Sequence, residues 1–286
     1  MSPSKITLVR PTRATLLAIA IIALTSATYT QAADLDEQDA VAVPPSQRFD
    51  NSRFGAVGQR LHEWNVVVGA GAIYAPKFEG SDEFEVRPIP VISARIGDRI
   101  GIDPTGLTVD VLQSNGFTLS VKGGYEMGRS EDDSDHLRGL GDVDAGAVIG
   151  GKLSYQVGPA ELYASIDKTI AGSDGLVGKF GANVSQRYDR FILSAGASAT
   201  LADENHMESY FGVTSEQSAR SGLRQYDAGA GLKRFDVEAS VTYMATENWL
   251  IRGQAGVGFL TGDAADSPIV QDDVQPSAMM MVGYKF

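Results

Sequence analysis

Histidine is the side chain best suited to acid–base chemistry near neutral pH, and this chain has three of them: His62, His136 and His206. A hydrolase of the serine type needs a hydroxyl nucleophile bonded to a histidine whose ring is held by a third group. His62 precedes the first alternating segment, and the other two fall in long polar connections. We interpret all three as solvated loop histidines and predict no catalytic residue, which leaves a lipase or protease as the weakest alternative.

Acidic side chains cluster in two of these connections, and carboxylates are the ligands that Ca²⁺ and Mg²⁺ prefer. The first run is Glu131, Asp132, Asp133 and Asp135, and the second is Asp263, Asp266, Asp272 and Asp273. Their spacing does not fit an EF-hand loop. We predict solvated acids and no metal-binding residue, with divalent-ion bridging to lipopolysaccharide as the alternative.

Charges of both signs recur at every second position within the alternating segments, so they share one face. A narrow barrel must pair such charges across its interior, which predicts a wet, cross-linked lumen. A pathway for small solutes is the alternative. The inward set is Lys122, Glu126, Asp144, Lys152, Glu161, Asp167, Lys179, Arg187, Arg234, Asp236, Glu238 and Arg252.

The elements that position these charges are long strands, because from Trp64 onward the apolar residues recur with a period of two. In 235–243, for example, Phe235, Val237 and Val241 alternate with polar residues. The segments run to about 9–15 residues, which suits a tilted strand that crosses a bilayer. Backbone groups in lipid must all pair, so such strands must close into an antiparallel up-and-down transmembrane β-barrel.

We predict about twelve strands, since bacterial barrels have even strand numbers and tight turns alternate with long connections. A single long strand over 99–112 is the alternative, with a compensating strand near 207–213. The predicted strands are 64–75, 84–95, 99–103, 106–112, 116–128, 142–157, 159–171, 176–188, 190–202, 229–244, 248–261 and 276–286.

Aromatic residues on the apolar face lie near the ends of the predicted strands, as expected at the two water–lipid boundaries. Tyr155, Tyr188, Phe191 and Trp249 mark the tight-turn end. A soluble β-sandwich or lipocalin-like barrel is the rival fold, but its apolar face would fill a core, whereas this face is rich in Ala and Gly. The chain also ends on an alternating strand with a terminal Phe286, which is typical of outer-membrane barrels.

Residues 1–32 have the features of a secretory signal peptide: Lys5, Arg10 and Arg13, then a short apolar run, then small residues before a cut at Ala32 or Ala33. Residues 33–63 are acidic and lack a period, and we interpret them as a mobile periplasmic tail. The net charge of −12 disfavours nucleic acid as a partner, and the lack of cysteine fits an exported bacterial protein.

Two local features modify this scheme. Pro88 and Pro90 fall inside a predicted strand. Because proline cannot donate to a ladder, we expect a break or a bulge there, with the strand bending inward or lying at the rim. The Gly-rich stretches 69–71 and 229–231 lie within strands and are not followed by a helix. They are therefore not dinucleotide-binding loops, and we predict no cofactor.

The barrel region 64–286 resembles the MipA/OmpV family of outer-membrane proteins. No single segment is diagnostic, but together and in this order they are specific. The resembling segments are 69–71, YAPKFEGSD at 74–82, RPIP at 87–90, 128–129 with LRGLGDV at 137–143, YFGVT at 210–214, DSPIV at 266–270 and GYKF at 283–286.

This resemblance implies a non-enzymatic barrel in the bacterial outer membrane, in contact with its lipid and lipopolysaccharide. It also implies a scaffold that bridges a lytic transglycosylase to a murein synthase. Two other functions stay open: a narrow channel for small solutes, and an adhesin or surface antigen that uses the connections 203–228 and 262–275. The partner, the solute and the oligomeric state do not follow from the residues.

Overall fold

A computed structural model describes residues 64–286, which form one closed antiparallel barrel of twelve strands. Each strand pairs with its neighbours in the chain, and the last pairs with the first. The strands are β1 (Trp64–Pro76), β2 (Phe84–Ile96), β3 (Ile100–Asp103), β4 (Gly106–Ser114), β5 (Phe117–Glu126), β6 (Gly146–Val157), β7 (Ala160–Ile170), β8 (Leu176–Tyr188), β9 (Phe191–Ala202), β10 (Gly231–Met244), β11 (Trp249–Leu260) and β12 (Val274–Lys285).

The predicted fold class and strand number are confirmed. The region 99–112 forms two short strands, β3 and β4, rather than one long strand. The alternative strand near 207–213 is wrong, because these residues belong mainly to a helix, α1 (Glu204–Phe211), whose first turn is capped by the side chain of Asp203. The predicted signal peptide and tail lie outside the described residues.

The two faces of the strands differ as the alternation predicts. Phe235, Val237 and Val241 of β10 point away from the barrel and keep about half of their surface exposed, while Ser240 between them is buried. The exposed apolar residues continue around the outside of the barrel. The rival soluble barrel is therefore excluded, because a soluble barrel would turn its large apolar side chains inward.

Aromatic pairs mark both ends of this outer face. At the tight-turn end the ring centroids of Phe191 and Tyr243 lie 5.0 Å apart, and those of Trp249 and Tyr284 lie 5.1 Å apart. At the opposite end, Tyr74 stacks on Phe84 at 5.2 Å. These pairs confirm the predicted aromatic belts.

The strands are joined by tight turns at one end, the turn end, and by long connections at the other, the loop end. The loop-end connections hold α1, α2 (Ser215–Ser221), α3 (Gly262–Ala265) and two 3₁₀ turns, Glu131–Asp133 and Asp135–Leu137. Within residues 64–286 no helix is long and apolar enough to cross a membrane. We use the term cap for the connections 77–83, 127–145, 171–175, 203–230 and 261–273.

The expected bulge at Pro88 and Pro90 is absent from the ladder between β1 and β2, whereas the ladder between β2 and β3 stops before it reaches these prolines. β2 pairs with β1 along the whole ladder without a register shift, from the pair Trp64–Ile96 at one end to the pair Pro76–Phe84 at the other. Bulges occur instead in β4, between Asp110 and Leu112, and in β10, between Leu232 and Arg234. The prolines are tolerated because one edge of β2 lacks a partner strand along most of its length, as described below.

Candidate functional site in the capped lumen

The cap has a hydrophobic core of its own. One cluster joins side chains from four different connections, and Leu137, Val213 and Ile269 are almost completely buried within it. A second cluster centres on Met207 and Phe211 of α1 and packs against the ends of β9 and β11. Burial of each large side chain contributes about 1.5–3 kcal/mol. The loop end is therefore a packed lid rather than a set of independent loops.

Acidic residues hold the cap backbone in place. Glu131 accepts hydrogen bonds from the backbone N–H groups of Gly139 and Gly141, each at 2.9 Å. Asp263 accepts one from the N–H of Gly229, also at 2.9 Å. The predicted solvation is correct for Asp132, Asp133 and Asp135 but not for Glu131, which is half-buried. Across 64–286 no group of three or more His, Asp or Glu residues is arranged to hold a metal ion.

An ion-pair cluster joins the cap to the barrel wall. Glu79, in the connection between β1 and β2, places Oε2 3.1 Å from Lys233 Nζ and Oε1 2.9 Å from Arg234 Nη1. Lys233 is the extra residue of the β10 bulge, which explains how two successive cations both reach Glu79. Burial alone would raise the pKa of Glu79, but Lys233 and Arg234 lower it to about 2.

His206 of α1 completes this cluster. Its Nε2 lies 3.1 Å from Lys233 Nζ, its Nδ1 lies 3.5 Å from Glu126 Oε1, and its ring packs against Tyr210. Burial and the neighbouring Lys233 lower the pKa of His206 to about 4. The ring is therefore neutral at pH 7, with Nε2 accepting from Lys233. Burial and Glu126 also raise the pKa of the Tyr210 hydroxyl.

The prediction that the histidines are solvated is wrong for His206, which is 5% exposed. The residue pattern does not predict α1, and it is this helix that turns His206 into the lumen. His136 is half-buried, stacks on Phe78 and places Nε2 3.3 Å from the carbonyl oxygen of Pro268. His62 lies outside the described residues.

A polar cavity of about 510 Å³ adjoins this ion-pair cluster in the lumen. Its wall includes four of the predicted inward charges, and sequence reasoning missed the contributions of Glu79 and Lys233. Ring, amide and hydroxyl groups complete the wall, so the space suits water or a small polar solute. The charged and polar lining residues are Glu79, Tyr163, Lys179, Asn183, Ser198, Thr200, Lys233, Arg234, Asp236 and Glu238.

Four of the remaining lumenal charges form two ion pairs, as predicted. Nζ of Lys122 on β5 lies 2.7 Å from Oδ2 of Asp167 on β7. Nζ of Lys152 on β6 lies 2.6 Å from Oε1 of Glu161 on β7. These bonds cross-link the interior.

One of the predicted inward charges is placed elsewhere, and another lies at the end of its strand. Asp144 is exposed in the connection before β6, because that strand begins at Gly146. Arg187 keeps the alternation of Lys179 and Asn183 on β8 but lies at the turn end, where its Nε donates to the carbonyl oxygen of Asp189.

Comparison with known proteins finds two relatives in Escherichia coli. The chain is 25% identical over 225 residues to YiaT of Escherichia coli (strain K12), which is named as a candidate outer membrane protein; the match covers 77% of this chain and 90% of YiaT. It is 26% identical over 232 residues to the MltA-interacting protein of the same organism, with 78% and 90% covered.

Among solved structures, the NanC porin aligns with 77% of this chain and 100% of its own, at a TM-score of 0.42 and 9% identity. The relatives named above and the closed barrel of twelve strands identify the protein as an outer-membrane β-barrel. The family described as MltA-interacting protein MipA matches residues 68–286, and the chain belongs to this family.

Proposed function

We propose that this barrel is a non-enzymatic scaffold that holds murein-remodelling enzymes, a lytic transglycosylase and a murein synthase, at the inner face of the outer membrane. The turn end would face the periplasm and the cap would face outward. Trp64 begins β1 at the turn end, so the preceding residues 33–63 join the barrel on the side where these enzymes work.

The observation that best supports a scaffold is the cap. Four connections share one hydrophobic cluster over the lumen, and Glu79 and His206 tie the cap to the wall through Lys233. A barrel closed in this way is suited to present surfaces to partners rather than to pass solutes. The partner class is suggested by the name of the E. coli relative, MltA-interacting protein.

The surroundings of the described histidines support a function without catalysis. Nε2 of His206 contacts Lys233, and Nε2 of His136 contacts a backbone carbonyl oxygen. In the part of the chain that the structure describes, neither ring is hydrogen-bonded to a serine or threonine hydroxyl, the arrangement that would activate a nucleophile.

A binding experiment tests the scaffold. The mature protein in lipid nanodiscs is immobilised and exposed to a purified MltA-type lytic transglycosylase and, separately, to a murein synthase of the same bacterium. We expect saturable binding of both. A variant in which residues 33–63 are replaced by a Gly/Ser segment of equal length should bind less. Glu79→Gln, which acts at the opposite, loop end of the barrel, should bind normally.

The possible outcomes separate the parts of the proposal. If the intact protein fails to bind one or both of these enzymes, the proposed scaffold is wrong. Binding that is unchanged after replacement of residues 33–63 would retain the scaffold and move the contact to the tight turns.

A narrow channel is the second candidate, and the polar cavity of about 510 Å³ is the observation that favours it. The lining charges would bind a small hydrophilic solute on its way through the lumen. Planar-bilayer recording decides between the two functions. Discrete conductance steps in the unmodified protein would favour the channel, and closed traces at high voltage would favour the scaffold.

A further inference from the structure

The barrel wall is incomplete on one side. β2 pairs with β3 only at Ala94, Arg95 and Ile96, whereas it pairs with β1 along its whole length. In the described part of the chain, residues 84–93 of β2 therefore have no strand partner on the β3 side. These residues form the half of β2 that is nearer the loop end.

The short hairpin of β3 and β4 produces this gap. Its tip lies at Pro104 and Thr105, and the hydroxyl of Tyr125 on β5 donates to the carbonyl oxygen of Pro104 at 2.8 Å. β4 stops pairing with β5 at Gly124, and the last two residues of β5 pair only with β6. We use the term notch for the space bounded by residues 84–93, the tip at 104–105 and residues 125–127.

Pro88 and Pro90 show which edge of β2 is open. Pro88 lies opposite Ala72 of β1, and Pro90 lies opposite Ala70. Because proline has no N–H to donate, each must occupy a position at which another residue would point its N–H away from β1. Both missing N–H groups would therefore face the notch. Prolines at alternate positions of an open edge also prevent another strand from adding there.

The notch has an apolar outer rim and a charged inner side. Val86 and Ile92 of β2 and Met127 after β5 are 66%, 57% and 80% exposed, and the neighbouring outward residues are also apolar. On the inner face of β2, Arg87 Nε lies 3.2 Å from Glu85 Oε1, and both side chains keep substantial exposure. Carbonyl groups of an open strand edge are costly in dry hydrocarbon, so water must reach the edge from the lumen.

We propose that the notch is a lateral portal that binds a single-chain anionic amphiphile from the surrounding lipid. The apolar tail would lie between the rims formed by β2 and β5, and the anionic head would reach Arg87 on the lumenal side. The prolines disfavour a partner strand as the occupant. The portal is independent of the scaffold, because it needs neither the turn end nor residues 33–63.

Accessibility measurements test whether the notch is open. The chain has no cysteine, so single spin labels can be placed at Val86→Cys or Ile92→Cys, with Val237→Cys on a fully paired strand as the matched control. In nanodiscs we expect the notch labels to relax with both oxygen and an aqueous nickel chelate, and the control label with oxygen alone. Notch labels that ignore the chelate would overturn the portal.

A photoreactive probe tests the occupant. Dodecanoic acid with a terminal diazirine is bound to the protein in nanodiscs, and the labelled residues are mapped by mass spectrometry. We expect labels at Val86, Ile92 and Met127 that fall in the presence of excess dodecanoate, and about three-fold less labelling in Arg87→Gln. Even labelling around the outer face, including Val237, would overturn specific binding.

Discussion

Glu79 Oε2 lies 3.1 Å from Lys233 Nζ, although the two residues are 154 positions apart in the chain. Both side chains are mostly buried, with exposures of 23% and 10%. The pair joins the first connection of the cap to the wall of β10. It therefore sets the position of the cap relative to the barrel.

Glu79→Gln should loosen the cap. The substitution leaves Lys233 without its carboxylate and Arg234 with only Asp236, and removal of one partner from a buried ion pair costs about 3–5 kcal/mol. Hydrogen–deuterium exchange of cap amides should accelerate by roughly two orders of magnitude, while strand amides of the barrel keep their rates.

The matched control for this substitution is Glu83→Gln. Glu83 also pairs with a lysine, Lys77, at 2.6 Å, but the pair is largely exposed and should contribute little. Equal exchange rates in the two variants would mean that Glu79 does not anchor the cap.

Acidification should destabilise the cap in two steps. His206 has a pKa of about 4 in the folded cap against 6.5 in the unfolded chain, because of burial and Lys233. The contribution of His206 to the stability of the cap is complete above pH 6.5 and is lost as the pH falls towards 4. The total loss is about 3 kcal/mol. Glu79, with a pKa of about 2 against 4.5, has the same sign and acts between pH 4.5 and 2.

Limited proteolysis of the cap as a function of pH separates the two steps. We expect His206→Gln, which keeps an acceptor for Lys233, to flatten the profile between pH 6.5 and 4 and to leave the lower step unchanged. Glu126 and Asp203 also face the His206 ring, and their charges oppose the lowering of its pKa. An unaltered upper step in the variant would assign it to another group.

Leu137→Ala should destabilise the cap without unfolding the barrel. Leu137 is completely buried in the cluster with Phe78 and Ile269, and loss of a core leucine costs about 2–5 kcal/mol. The measurement is urea-dependent exchange of cap amides. Arg138→Ala removes the adjacent exposed side chain and should have almost no effect.

Val237→Arg should destabilise the membrane-embedded barrel by about 2–4 kcal/mol, because a charge on the lipid face near the bilayer centre is poorly solvated. Val237 is 52% exposed on the outer face of β10. Equilibrium unfolding in lipid vesicles gives the free energy of unfolding. Glu247→Arg places the same side chain in the exposed β10–β11 turn and should be nearly neutral; equal effects would show that lipid does not cover Val237.

The alternation of residues predicted most of the barrel because lipid on one side and a polar lumen on the other impose a period of two on each strand. β8, predicted at 176–188, has the observed bounds Leu176–Tyr188. The predicted strands 99–103 and 106–112 correspond to β3 and β4, with ends that differ by at most two residues. Each of these inferences depended only on residues that are close in the sequence.

The ion-pair cluster at Lys233 could not be predicted in the same way. It combines Glu79 from one connection, His206 from another and a bulge in β10, and none of these positions follows a period. The cap faces neither lipid nor an internal sheet, so its order comes from contacts between distant connections. α1 has only eight residues of mixed polarity, which is too little for a helix to be recognised beforehand.

The seam between β1 and β12 gives this barrel a demanding order of assembly. Val68 lies opposite Tyr284, and the amide of Phe286 donates to the carbonyl oxygen of Val66 at 2.9 Å. The cylinder thus cannot be sealed until residues more than two hundred positions apart meet, and such distant pairing is slow. Until then the strands display apolar faces and open edges, so the newly exported polypeptide needs escort to the membrane before it can insert.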